Sequence, residues 1–139
     1  MEIRRCVAAD EGAVSALWRE VFPEAPPWNH PESDFVRKLS VQPELFFVAV
    51  SEGGVVGTVM GGYDGHRGWL YHLAVLPSSR GQGIGRALVE RVECELMKLG
   101  CPKLNLQVRS SNLEVRSFYE QLGYKVEDHM SLGKLLGKP

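Results

Sequence analysis

The stretch Leu73-Ala74-Val75-Leu76-Pro77-Ser78-Ser79-Arg80-Gly81-Gln82-Gly83-Ile84-Gly85-Arg86-Ala87-Leu88 decides the fold. An apolar run, Leu73 to Val75, is stopped by Pro77. A glycine-rich turn follows, and an amphipathic segment opens at Ile84, which is the order strand, turn, helix. Glycines let successive backbone N–H groups converge on one point with no Cβ in the way, and the first helical turn adds unpaired donors and the positive end of its dipole. The pattern predicts an anion site that suits a pyrophosphate, or else a glycine-rich connection that binds nothing. No Lys-Ser/Thr pair follows the last glycine, which sets aside the P-loop. The turn also comes too late in 139 residues to be the first crossover of a dinucleotide-binding fold.

Working outward, Glu2 to Cys6 is a short strand candidate, and Val14, Leu17, Trp18 and Val21 repeat at helical spacing between Asp10 and Phe22. Residues 23–31 hold the proline cluster and form a loop, and a second helix is expected from Glu32 to Ser40. The β-rich runs Leu45 to Val50, Val55 to Tyr63 and Trp69 to Leu76 are separated by Glu52-Gly53-Gly54 and Asp64-Gly65, which signals an antiparallel meander. Beyond the glycine-rich turn, Ile84, Ala87, Leu88, Val92 and Leu96 mark a long helix ending at Gly100, and Leu104, Leu106 and Val108 alternate as a strand. Val115, Phe118, Tyr119 and Leu122 share one helical face ended by Gly123, and two last strands are expected near Tyr124–Asp128 and His129–Leu135. The sum is one α/β (α+β) domain over residues 1–139, with a mixed, mostly antiparallel sheet of about six to seven strands and helices on both faces.

Composition narrows the class. Hydrophobic residues at 44% and charged residues at 24% are those of a globular chain that buries one core. Sixteen Lys and Arg against seventeen Asp and Glu leave a net charge of -1, so no basic field exists for nucleic acid. Cys6, Cys94 and Cys101 are odd in number and lack metal-ligand spacing, which points to reduced thiols rather than a disulfide frame or a zinc site. No apolar run approaches membrane-spanning length and MEIRRC has no apolar leader core, so a cytoplasmic protein with no membrane partner is expected, as a monomer or homodimer.

The segment Arg80-Gly81-Gln82-Gly83-Ile84-Gly85 resembles the Gln/Arg-x-x-Gly-x-Gly/Ala signature of the GNAT superfamily of acetyl-CoA-dependent N-acetyltransferases, placed between the fourth strand and the third helix. Downstream, Asn112 followed by Phe118-Tyr119-Glu120-Gln121-Leu122-Gly123-Tyr124 is similar to that family's Asn…Tyr-Glu-x-x-Gly-Phe/Tyr stretch. The run Gly57 to Gly68, with Pro27-Trp28-Asn29 and Ser131-Leu132-Gly133-Lys134, also resembles the small bacterial YpeA-like subgroup, a likeness that supplies no substrate.

The resemblance implies the GNAT fold, acetyl-CoA as co-substrate, no metal, and direct transfer of acetyl to a small-molecule or peptide amine. Backbone amides of Gln82, Gly83, Ile84 and Gly85 would hold the pyrophosphate, with Arg80, Gly81 and Arg86 contributing. Leu73, Ala74 and Val75 would pair with the pantetheine arm. Asn112 would contact the coenzyme, or cap its helix alone. Tyr119 would protonate the departing thiolate, or serve as a core residue on its apolar stripe. Some relatives carry a glutamate early in the fourth strand, whereas Trp69-Leu70-Tyr71-His72 has no carboxylate. His72 or a water chain is left as the base, a structural histidine being the alternative. Trp28 and Asn29, with Asp64 and His66, are expected at the acceptor end; ordinary turn chemistry or packing on Trp18 would also account for them. A catalytically weak acetyl-CoA-binding or sensing module, and an interaction domain on the same fold, are the competing functions.

Overall fold

Both faces of one central strand are apolar: in β2 (Phe46–Ser51), Phe46 and Val48 point one way, Phe47 and Ala49 the other, and all four are buried. A strand of this kind needs cover on both sides. The computed structural model describes residues 1–137 and provides that cover with helices. Strands β1 (Glu2–Arg5), β2, β3 (Gly54–Tyr63), β4 (Gly68–Val75) and β5 (Leu104–Leu106) lie in chain order in one sheet. The first four are antiparallel, and β5 joins β4 in parallel.

Helices α1 (Glu11–Val21) and α2 (Pro31–Ser40) cover the face that carries Phe46, Val48, Met60 and Ala74, contributing Val14, Leu17, Trp18 and Phe35 to that core. Helix α3 (Ile84–Lys98) covers the opposite face. It lies so close to β3 that a Cβ on Gly57 would stand 3.0 Å from a Leu88 methyl, and one on Gly61 2.8 Å from a Val92 methyl. Arg91 of α3 also lies over the Phe47 ring at 4.8 Å. These elements belong to a compact unit, Met1–Gln107, and residues from Val108 onward form a second one.

The second unit holds α4 (Leu113–Gln121), which starts and stops as its sequence dictates. The Asn112 side chain accepts the Val115 N–H at 3.2 Å, an N-cap. At the other end Gly123 takes φ +96, the Gly123 N–H donates to Glu120 at 3.1 Å, and the Tyr124 N–H reaches back to Tyr119 at 3.1 Å. This is the paired-carbonyl termination of a left-handed cap, and α3 ends the same way at Gly100.

The strands expected near Tyr124–Asp128 and His129–Leu135 do not form among the described residues, so the sheet has five strands rather than six to seven. The apolar residues that suggested them bury no face: Val126 is 65% exposed, Met130 87% and Leu132 91%. Without apolar burial, nothing offsets the entropy of ordering another ladder. Strand β5 is likewise shorter than its alternating pattern, stopping at Leu106. All three thiols are free, and burial pushes that of Cys6 up to about 12. Among the described residues no helix is long and apolar enough to cross a membrane, and no His/Cys/Asp/Glu group could hold a metal.

Candidate active site

Only Gly68, Trp69 and Leu70 of β4 pair with β5, while the strand runs on for five more residues, Tyr71 to Val75, paired with β3 alone. Its other edge is therefore a row of backbone groups with no neighbouring strand among the described residues, about 16 Å long at the usual rise per residue. Folds normally blunt such an edge. Here it leads through a single 3-10 turn, Pro77–Ser79, into the glycine-rich turn and α3.

Gly81 and Gly83 both adopt φ +79, a conformation that L side chains rarely take, and nothing lies within 4 Å of where a Cβ would project from either. The turn thus leaves open space at both positions. The Gly83 carbonyl accepts from Ala87 at 3.0 Å and starts α3, whose first N–H groups have no acceptor within the helix. Arg80 Nε donates to the Val75 carbonyl at 3.2 Å, which ties the turn to the end of β4. Arg86 is engaged along the helix by Glu90 at 2.8 Å. Gln82 is exposed, Ile84, the first residue of α3, is buried, and Leu73 and Val75 flank the buried Ala74 on the free stretch of strand.

The other end of that stretch is irregular. Thr58 faces Ala74 and Met60 faces Tyr71, so two residues, His72 and Leu73, stand opposite Val59 in a β-bulge. His72 sits at φ +50, a left-handed conformation that costs a non-glycine residue and must be held by its surroundings. A buried chain holds it: the Trp18 indole donates to Thr58 Oγ1 at 2.9 Å, and the Thr58 hydroxyl donates to the His72 carbonyl at 3.1 Å. The imidazole lies 4.8 Å from the Trp18 ring and 5.5 Å from that of Phe22. The bulge turns the consecutive residues Tyr71 and His72 toward one cleft of about 280 Å³, walled by Met60 and by Asp34, Arg37, Lys38 and Val41 from α2 and its end.

Charge in the cleft is unevenly compensated. His72 Nε2 is 3.6 Å from Asp34 Oδ2. The other Asp34 oxygen is ion-paired with Arg37, and Oδ2 is buried without a hydrogen-bond partner. Burial holds the His72 pKa below the ordinary histidine value, and the Asp34 carboxylate pulls it partly back, so the imidazole is neutral at neutral pH. Burial likewise lowers the Lys38 ammonium, which donates to the Gly61 carbonyl at 2.6 Å, and raises the Tyr71 phenol. A neutral imidazole backed by a carboxylate can accept a proton.

The carboxylate absent from β4 thus arrives from α2, and Asp34 was not anticipated. Its spacing with Lys38 puts both on one helical face, which the sequence does display, but its contact with a strand residue 38 positions away depends on how α2 packs. Trp28, 57% exposed, and Asn29 lie in the loop before α2; the rings around Trp18 are those of Phe35, Phe46 and His72. Asp64 Oδ1 accepts the N–H groups of His66 at 2.8 Å and Arg67 at 2.7 Å, bonds that lower its pKa and close the β3–β4 turn, leaving His66 exposed. None of these four residues lines the cleft. Within the second unit Tyr119 is buried, its ring 5.0 Å from Phe118 and 5.7 Å from Tyr124, and burial raises its phenol pKa.

A sheet opened between its fourth and fifth strands and leading into a glycine-rich helix start is the arrangement that the resemblance to an acyltransferase family implies. The model of the Acetyltransferase (GNAT) family matches residues 13–124, so the chain belongs to that family and is an acyltransferase. An acetyltransferase of Yersinia enterocolitica is 50% identical over 136 residues, covering 98% of this chain and 96% of its own. Among solved structures, the ribosomal-protein-S18-alanine N-acetyltransferase of Escherichia coli is 30% identical with a TM-score of 0.73, over 88% of this chain and 76% of its own. The aminoglycoside N-acetyltransferase AAC(6')-Iy, solved with a bisubstrate analogue of CoA, has a TM-score of 0.80 over 98% of each chain; at 18% identity it speaks for the fold.

Proposed function

We propose that residues 1–139 act as one N-acetyltransferase domain that moves the acetyl group of acetyl-CoA directly to a primary amine of a small molecule, peptide or protein. The observation that carries this reading is the free stretch Tyr71–Val75, which links the cleft at His72 to the glycine-rich turn. An extended amide-bearing arm can pair with that edge at Leu73, Ala74 and Val75 as a strand would. The open side of Gly81, Gln82 and Gly83, with the N–H groups of Ile84 and Gly85, fits a pyrophosphate. Arg80 and, once freed from Glu90, Arg86 add positive charge. Asn112 is assigned a coenzyme contact on the family resemblance, in addition to its cap.

When bound, acetyl-CoA supplies an activated thioester. His72 takes the proton from the attacking amine, held in place by the bulge and oriented by Asp34, a positioning residue. A backbone N–H of the free stretch would stabilise the charge that develops on the acetyl oxygen. Tyr119 is assigned the donation of a proton to the departing thiolate, a role that rests on the family resemblance and on a phenol kept protonated by burial. Trp28, Asn29, Asp64 and His66, none of which lines the cleft wall, are assigned on the family resemblance to the border of its amine-binding end. The competing idea of a weak acetyl-CoA-binding module draws on the absence of a carboxylate from Trp69–His72, and Asp34 at 3.6 Å from His72 favours the enzyme reading over it. The test is to incubate the protein with acetyl-CoA and a panel of amines, peptides and proteins and to follow CoA release with acetylated product. Product formation supports the reading, and binding without turnover on any acceptor contradicts it.

A further inference from the structure

The cleft holds two cations, Arg37 and Lys38, against one carboxylate, Asp34, and that carboxylate is already ion-paired with Arg37. Lys38 is the residue left over. Its ammonium is half-buried, bonds only a backbone carbonyl at 2.6 Å and forms no ion pair among the described residues. Burial disfavours its charge, the Glu44 carboxylate supports it without a direct ion pair, and its one protein hydrogen bond leaves N–H donors available on the cleft wall. Such a group can take an anion from a ligand in the cleft.

We propose that Lys38 binds an anionic group of the acceptor, so that the amine acetylated here belongs to a small amino acid or a similarly compact carboxylate-bearing amine. This rests on the acetyltransferase reading of the same cleft. Asp34, which touches His72, and Lys38 are four residues apart on α2, so their Cβ atoms are about 5–6 Å apart on one helical face. His72 and Lys38 also line the same cleft of about 280 Å³, a volume that suits an amine and a carboxylate carried by one short molecule. The side chain of that molecule would rest on Met60, Val41 and the Tyr71 ring, an apolar lining that suits an aliphatic or aromatic residue. A peptide N-terminus puts an amide where the carboxylate would be, and a polyamine puts a second cation there.

The test compares acetylation of amino acids with their amino alcohols: leucine with leucinol, methionine with methioninol, phenylalanine with phenylalaninol. Each pair keeps the side chain and the amine and removes the carboxylate. The wild-type protein should prefer the acid by about ten- to a hundredfold in kcat/KM, the worth of one charge-assisted hydrogen bond. Lys38→Met should bring that ratio close to unity, and Lys38→Arg should restore most of it. An alcohol used as well as its acid, or a preference that survives in folded Lys38→Met, overturns the proposal. The wild-type comparison decides even if Lys38→Met fails to fold. If no pair is acetylated but peptide or protein amines are, the proposed acceptor class is overturned and the transferase reading stands. If nothing is acetylated although acetyl-CoA binds, both fall.

Discussion

The two ends of the free stretch of β4 are made of different material. The end that runs into the turn at residues 80–85 is built from backbone: two left-handed glycines, the start of α3 and a strand edge that no strand covers among the described residues. The end at His72 is built from side chains that meet only because three elements pack together: Asp34 and Lys38 from α2, Thr58 and Met60 from β3, and Trp18 from α1 behind them. A backbone site tolerates change in most side chains and fails when a glycine is lost. A side-chain site fails one residue at a time, and its acid–base behaviour depends on burial and neighbours. Coenzyme binding and proton transfer should therefore be separable by mutation.

The largest effect expected is at the bulge. His72→Gln removes the proton acceptor and should lower kcat by about a hundredfold or more with whichever acceptor the panel identifies. Its affinity for acetyl-CoA should stay near wild type, since the turn at 80–85 is untouched; loss of coenzyme binding would join the two ends into one site.

Asp34→Asn should cost less, about tenfold in kcat, and it carries a signature in pH. His72 is held below its ordinary value by burial, so it remains a proton acceptor as pH falls to about 6.5, and the acid limb of kcat/KM lies below that. The groups facing it are Asp34, Arg37 and Lys38 from α2 and the Tyr71 phenol on β4, while α1 presents the rings of Trp18 and Phe22. Of these, Asp34 raises the His72 pKa, so its replacement should move the limb to still lower pH. A purely structural Asp34 would lower kcat and leave the limb in place.

Tyr119→Phe keeps the ring packed against Phe118 and Tyr124 and removes only the hydroxyl. Turnover should fall by about tenfold while coenzyme affinity holds, provided that chemistry limits the rate. Equal turnover would make Tyr119 a core residue. The smallest effect is expected outside the cleft wall. Trp28→Ala should leave acetyl-CoA binding unchanged and raise the acceptor KM by about two- to threefold, and a larger rise would extend the acceptor site into the loop before α2.

The same contrast accounts for what could be read from residues alone. The glycine-rich turn was legible because glycine at 81 and 83 encodes a backbone conformation directly, and the helix limits because Asn112, Gly100 and Gly123 act on their own neighbours. Asp34 looked like one more acidic residue in a first helical turn, since its distance to His72 is set by the layer packing of α1 and α2 on the sheet. The bulge was equally hidden: Trp69 to Leu76 alternates as a plain strand, and the extra residue is visible only in the register against β3. The strands expected after Tyr124 do not form because the alternation there has no buried face behind it, and burial is not visible in the pattern itself.

The most direct test of a coenzyme site made of backbone is calorimetric titration of acetyl-CoA into the wild-type protein and its Gly83→Asn and Gly83→Asp variants. Both side chains bear the strain of the left-handed conformation better than other L residues, differ by a single charge, and have room to project, since nothing lies within 4 Å of the Cβ position. The account predicts binding to wild type, a moderate loss in Gly83→Asn, and a further loss of about tenfold or more in folded Gly83→Asp, where a carboxylate faces the anion site. Equal affinity in all three folded proteins would contradict it and remove the pyrophosphate from the turn.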